Sequence, residues 1–192
     1  SIFDCQRVAI AAQEYDECHS EMEYLIGALD ELGMLTAKST PRTGSWAATA
    51  QVGPKQFCHV QTVSLHNGPE ELTGTGLAFD IVALVEAGRI RYDAYLSAIG
   101  RVAEVGGRVL LSGTAWDNFG WYVDLYRSFA GPNVFNGEAF SFPAWDNLAI
   151  YPGGRDDPKI KYLEATMPPD SFARRVAAKI LPSPARIYPE FE

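Results

Sequence analysis

Two strand ends carry the chemistry that this sequence offers. The apolar run Leu77 to Val85 ends in Glu86, and a second, Arg108 to Leu111, ends about 25 residues later in Ser112-Gly113-Thr114. A strand that terminates in a carboxylate delivers that group to the carboxyl edge of a sheet, where open α/β sheets bind their ligands. Joined by one helix, two such strands run parallel and bring Glu86 and the hydroxyls of Ser112 and Thr114 to the same edge. A carboxylate there orients a water for attack on a terminal phosphate, and a small hydroxyl residue senses that phosphate through a hydrogen bond. Taken singly, Glu86 reads as an ordinary strand-end carboxylate and Ser112-Gly113-Thr114 as a turn. Their pairing through a helix is what favours chemistry. Arg89 and Arg91, just past the carboxylate, are candidates for an arginine finger, although arginines after a strand are more often solvated.

Other reactive side chains give less. Cys18-His19 and Cys58-His59 are adjacent pairs whose members point in different directions on a helix or strand, so each supplies at most one convergent ligand. No Cys-x-x-Cys occurs among Cys5, Cys18 and Cys58, and no metal ligands are assigned. Trp116, Trp121 and Trp145 lack interleaved basic residues and read as packing rather than base-stacking platforms.

The elements that must position these groups follow from periodicity. Arg7 to Ala12 is a short apolar run suited to a buried strand. Asp16 to Leu32 carries Met22, Leu25, Ile26, Leu29 and Leu32 at helical steps and stops at Gly33. Thr36 to Pro54 is polar, with Pro41, Gly44 and Gly53, and is expected to be a loop or ragged hairpin. Phe57 to Leu65 alternates as a strand, Tyr92 to Val105 is spaced as a helix, and Trp121 to Phe129 as another. Phe135 to Phe142 alternates and predicts a further strand. Asp157 before Pro158 is a helix N-cap, with a break at Pro168-Pro169 before a helix over Phe172 to Leu181. Strands alternating with helices predict an α/β fold with a largely parallel sheet flanked by helices.

Length and charge set bounds. With 192 residues the chain suits one domain with a real core, and the net charge of −8 argues against a broad electropositive surface for nucleic acid. No apolar run approaches the roughly 20 residues that span a bilayer, and Ser1 to Cys5 show no secretory signal. The expectation is a cytosolic protein without membrane contact.

Several segments together resemble a family. Phe79-Asp80-Ile81-Val82-Ala83-Leu84-Val85-Glu86-Ala87 is similar to the Walker B strand of phage terminase large subunits, which ends in Asp-Glu-Ala. Leu110-Leu111-Ser112-Gly113-Thr114 resembles their coupling motif, and Phe140-Ser141-Phe142-Pro143-Ala144-Trp145-Asp146-Asn147 their Phe-x-x-Pro-Thr-Trp-Asp-Asn segment. Ser171 to Arg175 and Arg186 to Phe191 resemble the helix that closes the ATPase domain and the stretch leading to the nuclease domain. The likeness lies in order and spacing over nearly the whole chain.

The resemblance implies a P-loop NTPase core of the RecA/ASCE type, missing its first strand. Residues 1–182 would be part of an ATPase domain and 183–192 a linker toward a nuclease domain. It implies ATP and Mg2+ as cofactors, Glu86 as the catalytic carboxylate, and Ser112 and Thr114 as coupling residues. Double-stranded DNA, a portal protein, a small terminase subunit and further copies in a motor ring are the implied partners, in a host cytoplasm. Two departures stand out. No Gly-x-x-x-x-Gly-Lys-Ser/Thr loop occurs, so the cradle for the β- and γ-phosphates is absent from these residues. Val85 stands where the family has a magnesium-binding Asp. A degenerate, non-catalytic binding module and another P-loop ATPase such as a helicase are the competing readings.

Overall fold

The computed structural model describes residues 7–74, 76, 78–115, 120–130 and 137–181. The chain divides into two compact units, Ser1–Gly113 and Thr114–Glu192.

In the first unit, strands β1 (Arg7–Ala12), β2 (Leu35–Ser39), β3 (Ala47–Gly53), β4 (Gln56–Ser64), β5 (Ile81–Leu84) and β6 (Arg108–Leu111) form one sheet in the order β2-β3-β4-β1-β5-β6. The block β4-β1-β5-β6 is parallel, while β3 runs antiparallel to both β2 and β4. The expected α/β sheet is therefore present, with an antiparallel extension. The polar stretch expected as a loop or ragged hairpin supplies that extension as two strands. Its side chains gave little sign of them, because four of the five β2 residues are exposed and β3 buries only the small Ala48 and Ala50.

Helices α1 (Tyr15–Glu31), α2 (Glu70–Gly74) and α3 (Tyr92–Ala103) make the crossovers. From β1 the chain crosses through α1 to β2, on the β4 side of the sheet, whereas β5 leads through α3 to β6 on the other. Right-handed crossovers in opposite directions put α1 and α3 on opposite faces. Alternation agrees: Ile10, Ala12, Val60 and Val85 pack with Cys18, Met22 and Ile26 of α1, and the intervening Ala9, Ala11, Val82 and Leu84 are buried as well. The β1/β5 boundary, where the connections reverse, is the switch point of the sheet.

The second unit holds α4 (Trp121–Phe129), α5 (Pro158–Thr166) and α6 (Pro169–Arg175). Asp157 caps α5 as its sequence predicts, its carboxylate accepting from the Lys159 amide at 2.9 Å and the Gly153 amide at 3.2 Å. Phe172 packs with Ile160 and Val176, and Arg155 lies over the Trp145 ring at 5.0 Å. Asn147 holds a turn by accepting from the Ile150 amide at 3.4 Å. Two expectations need correction. The residues of the expected strand that are described, 137–142, form no strand; their alternation reflects Phe140 and Phe142 stacked on each other at 6.2 Å. The last helix starts earlier and ends at Arg175, not Leu181. Cys5, Trp116 and residues 183–192 lie outside the described residues.

Candidate functional site at the carboxyl edge of the sheet

Four parallel strands end at one edge. β1 runs into Gln13-Glu14, β4 into Leu65-His66, β5 into Val85-Glu86 and β6 into Ser112-Gly113. The structure therefore brings Glu86 and Ser112 together, as their strand-end positions predict. The Ser112 amide donates to the Leu84 carbonyl at 3.0 Å, and the Ala87 amide donates to the Ser112 carbonyl at 2.8 Å. Thr114, two residues past Ser112, is the first residue of the second unit.

Glu86 is held under constraint. Its backbone is left-handed, with φ 52° and ψ 42°, a conformation that costs a non-glycine residue on the order of 1 kcal/mol or more. It caps the one-turn 3₁₀ helix Ala87–Arg89. One carboxylate oxygen, Oε2, is buried and has no hydrogen-bond partner among the described residues. A buried acceptor left unmatched is costly, and such groups concentrate where a ligand or reacting water completes them. Gly113 makes the approach of β6 feasible: its φ is +150°, and a Cβ there would stand 2.9 Å from the Ala87 nitrogen and 3.1 Å from the Glu86 Cα. The glycine of Ser-Gly-Thr is thus required by both its dihedral and its neighbour.

The candidate arginines are both engaged within the chain. Arg89 Nη1 donates to Glu17 Oε1 at 2.8 Å, and Arg91 pairs with Asp93 at the start of α3. Glu17 belongs to the first turn of α1, where its other oxygen accepts from the Glu14 amide at 3.3 Å. Glu14 in turn pairs with His66 at 2.6 Å. A row of linked polar groups, His66, Glu14, Glu17 and Arg89, therefore runs along the edge from β4 past β1 to β5 and crosses the switch point. Sequence reasoning missed Glu14, Glu17 and His66. The visible signal was a Glu-x-x-Glu spacing at the start of a helix, close to a capping box but without its usual Ser or Thr.

The arrangement does not make a magnesium site by itself. Val85, at 8% exposure, is packed into the α1-facing core beside Ile10 and Met22 rather than offered at the edge. Among the described residues no three His, Cys, Asp or Glu side chains gather as metal ligands, and no helix is long and apolar enough to cross a membrane.

Comparison with known proteins fixes the fold. No family model and no curated protein sequence matches the chain. Among solved structures it is similar to the large terminase ATPase domain of Thermus phage P74-26, an arginine-variant form, with TM-score 0.65 and 17% identity over 92% of this chain and 77% of that one. It is also similar to the large terminase of a thermophilic bacteriophage in complex with ADP, with TM-score 0.72 and 11% identity over 92% of this chain and 40% of that one. A second crystal form of the latter protein gives TM-score 0.67 and 13% identity over 89% of this chain and 40% of that one. The chain therefore has the fold of terminase ATPase domains and spans about two-fifths of the length of the large terminase it matches.

Proposed function

We propose that the chain is the catalytic and coupling part of an ATPase that drives DNA into a viral procapsid, in the manner of a terminase large subunit. The observation that carries this reading is the juxtaposition of Glu86 with Ser112 at the carboxyl edge of a terminase-like sheet, with one carboxylate oxygen of Glu86 buried and unmatched. In this role Glu86 orients the attacking water. Ser112 and Thr114 read the terminal phosphate and pass its loss to the second unit. Of the two arginines, Arg91 has the more exposed side chain, 72% against 54% for Arg89, and is the better placed to serve a neighbouring copy in a ring.

The nucleotide needs a phosphate-binding loop, which these 192 residues do not contain. Strand β6 is the outermost on its side among the described residues, and Leu110 on it is 54% exposed. A strand bearing that loop would pair here, beside Glu86, supplied from outside the sequence. Magnesium would then take its ligands chiefly from the loop and the nucleotide, with the side chain of Val85 contributing none. DNA, portal, small subunit and ring neighbours belong to the same proposal, as does the cytoplasm of an infected host.

The test is hydrolysis by the protein expressed with whatever coding sequence lies upstream of Ser1. Glu86→Gln should lower kcat about 10²–10⁴-fold while ATP still binds. Unchanged kcat in that variant would remove Glu86 from catalysis. Absence of hydrolysis by that protein would instead favour the second reading, a degenerate binding module, for which the core-packed Val85 is the supporting observation.

A further inference from the structure

We propose that Glu17 is a positioning residue for Glu86, acting through Arg89: it draws the arginine onto α1 and so keeps the buried oxygen of Glu86 without a cation. Arg89 ends the one-turn helix that Glu86 caps, three residues beyond it in sequence, so a guanidinium stands close along the chain to the carboxylate. The pair that forms is instead with Glu17, 72 residues away in sequence, at 2.8 Å. Glu86 Oε2, meanwhile, stays buried and unmatched.

Glu17 is suited to this task. Its side chain is 21% exposed, and its second oxygen is fixed by the Glu14 amide at 3.3 Å, so the carboxylate has a set position from which to compete for the arginine. The turn that carries Glu86 is anchored on two sides: to β6 through the Ala87 amide and Ser112 carbonyl at 2.8 Å, and to α1 through Arg89. A guanidinium moved onto Glu86 would fill the acceptor that a reacting water needs. This inference rests on the hydrolytic role of Glu86, but its test involves no nucleotide, so either can fail without the other.

The experiment follows the Glu86 carboxyl carbon by NMR in the 192-residue chain, with the amide spectrum as the check on folding. In Glu17→Gln, the released Arg89 should move onto Glu86 and displace that carbon signal. In the double variant Glu17→Gln/Arg89→Gln the signal should return to its wild-type position, because no arginine is left to move. A merely structural role for Glu17 would displace the signal equally in both variants. An unmoved signal in Glu17→Gln, or an equal displacement in the double variant, overturns the proposal. If Glu17→Gln does not fold, molar sodium chloride added to the wild type screens the half-exposed ion pair and serves in its place. The Glu86 signal should then move in the wild type and not in Arg89→Gln, and equal movement in both overturns the proposal.

Discussion

Replacing Gly113 by alanine tests the junction on which the site depends. The added Cβ would lie 2.9 Å from the Ala87 nitrogen, 3.1 Å from the Glu86 Cα and 3.2 Å from the Glu86 carbonyl carbon. All three are backbone atoms, so no flexible side chain can swing aside. Ala87 is fully buried, and its amide is tied to Ser112, which leaves the turn little room to retreat. Alanine at φ +150° adds dihedral strain of about 1–3 kcal/mol, and the forced contact adds about 1–3 kcal/mol more. A total of about 2–6 kcal/mol is a large part of the roughly 5–15 kcal/mol that holds a typical domain folded. Urea unfolding in a background with Trp116, Trp121 and Trp145 replaced by Phe, followed by the fluorescence of the remaining Trp46, reads the first unit. With a slope of about 2 kcal/mol/M, the midpoint should fall by about 1–3 M. A loss below about 0.5 kcal/mol, the range of an ordinary surface substitution, would refute the close approach of β6 to the Glu86 turn.

Gly27 and Gly100 predict the opposite sign. Both are helical and meet nothing within 4 Å of an added Cβ, so alanine at either should stabilise by about 0.5–1 kcal/mol in the same unfolding assay. Burial pushes the Cys18 thiol up to about 12, against backbone hydrogen bonds that favour the thiolate. A raised value means that this contribution is complete below the ordinary thiol range and is lost as pH climbs from about 9 to 12. The urea midpoint should fall across that window, and Cys18→Ala should flatten the fall; an equal fall in both would exclude the thiol. Val85→Asp should bury an uncompensated carboxylate and cost on the order of 3–5 kcal/mol without creating a magnesium site. Calorimetric magnesium binding by a variant of unchanged stability would contradict the core placement of residue 85.

What could be read from the residues was what side chains advertise. The apolar runs of β1 and β6, the alternation of β4 and the helical spacing of α1 and α3 predicted elements within a few residues of those observed. Glu86 and Ser112 met because strand ends in a parallel block share an edge, a property of topology that the order of elements already carried. The hairpin of β2 and β3 could not be told from a loop because it is held mainly by backbone pairing, with exposed or alanine side chains that mark no face. The false strand before Pro143 shows the converse, where alternating aromatics stacked on one another mimic a pleated face. The left-handed backbone of Glu86 had no sequence signal, since glycine or asparagine would be its usual marks. The Glu17–Arg89 pair joins residues 72 apart, beyond the reach of any local pattern.

The outer flank of β6 also governs how this polypeptide behaves in a test tube. Among the described residues no further strand pairs with this flank, which carries an exposed leucine; such an edge is a template onto which a second chain can add, and natural edges are guarded against this by charge, bulges or covering segments. Arg108 is the exposed charge on this strand, set at its far end from Glu86. Turbidity on concentration would therefore report an unsatisfied sheet margin rather than misfolding, and a soluble strand-forming peptide should suppress it.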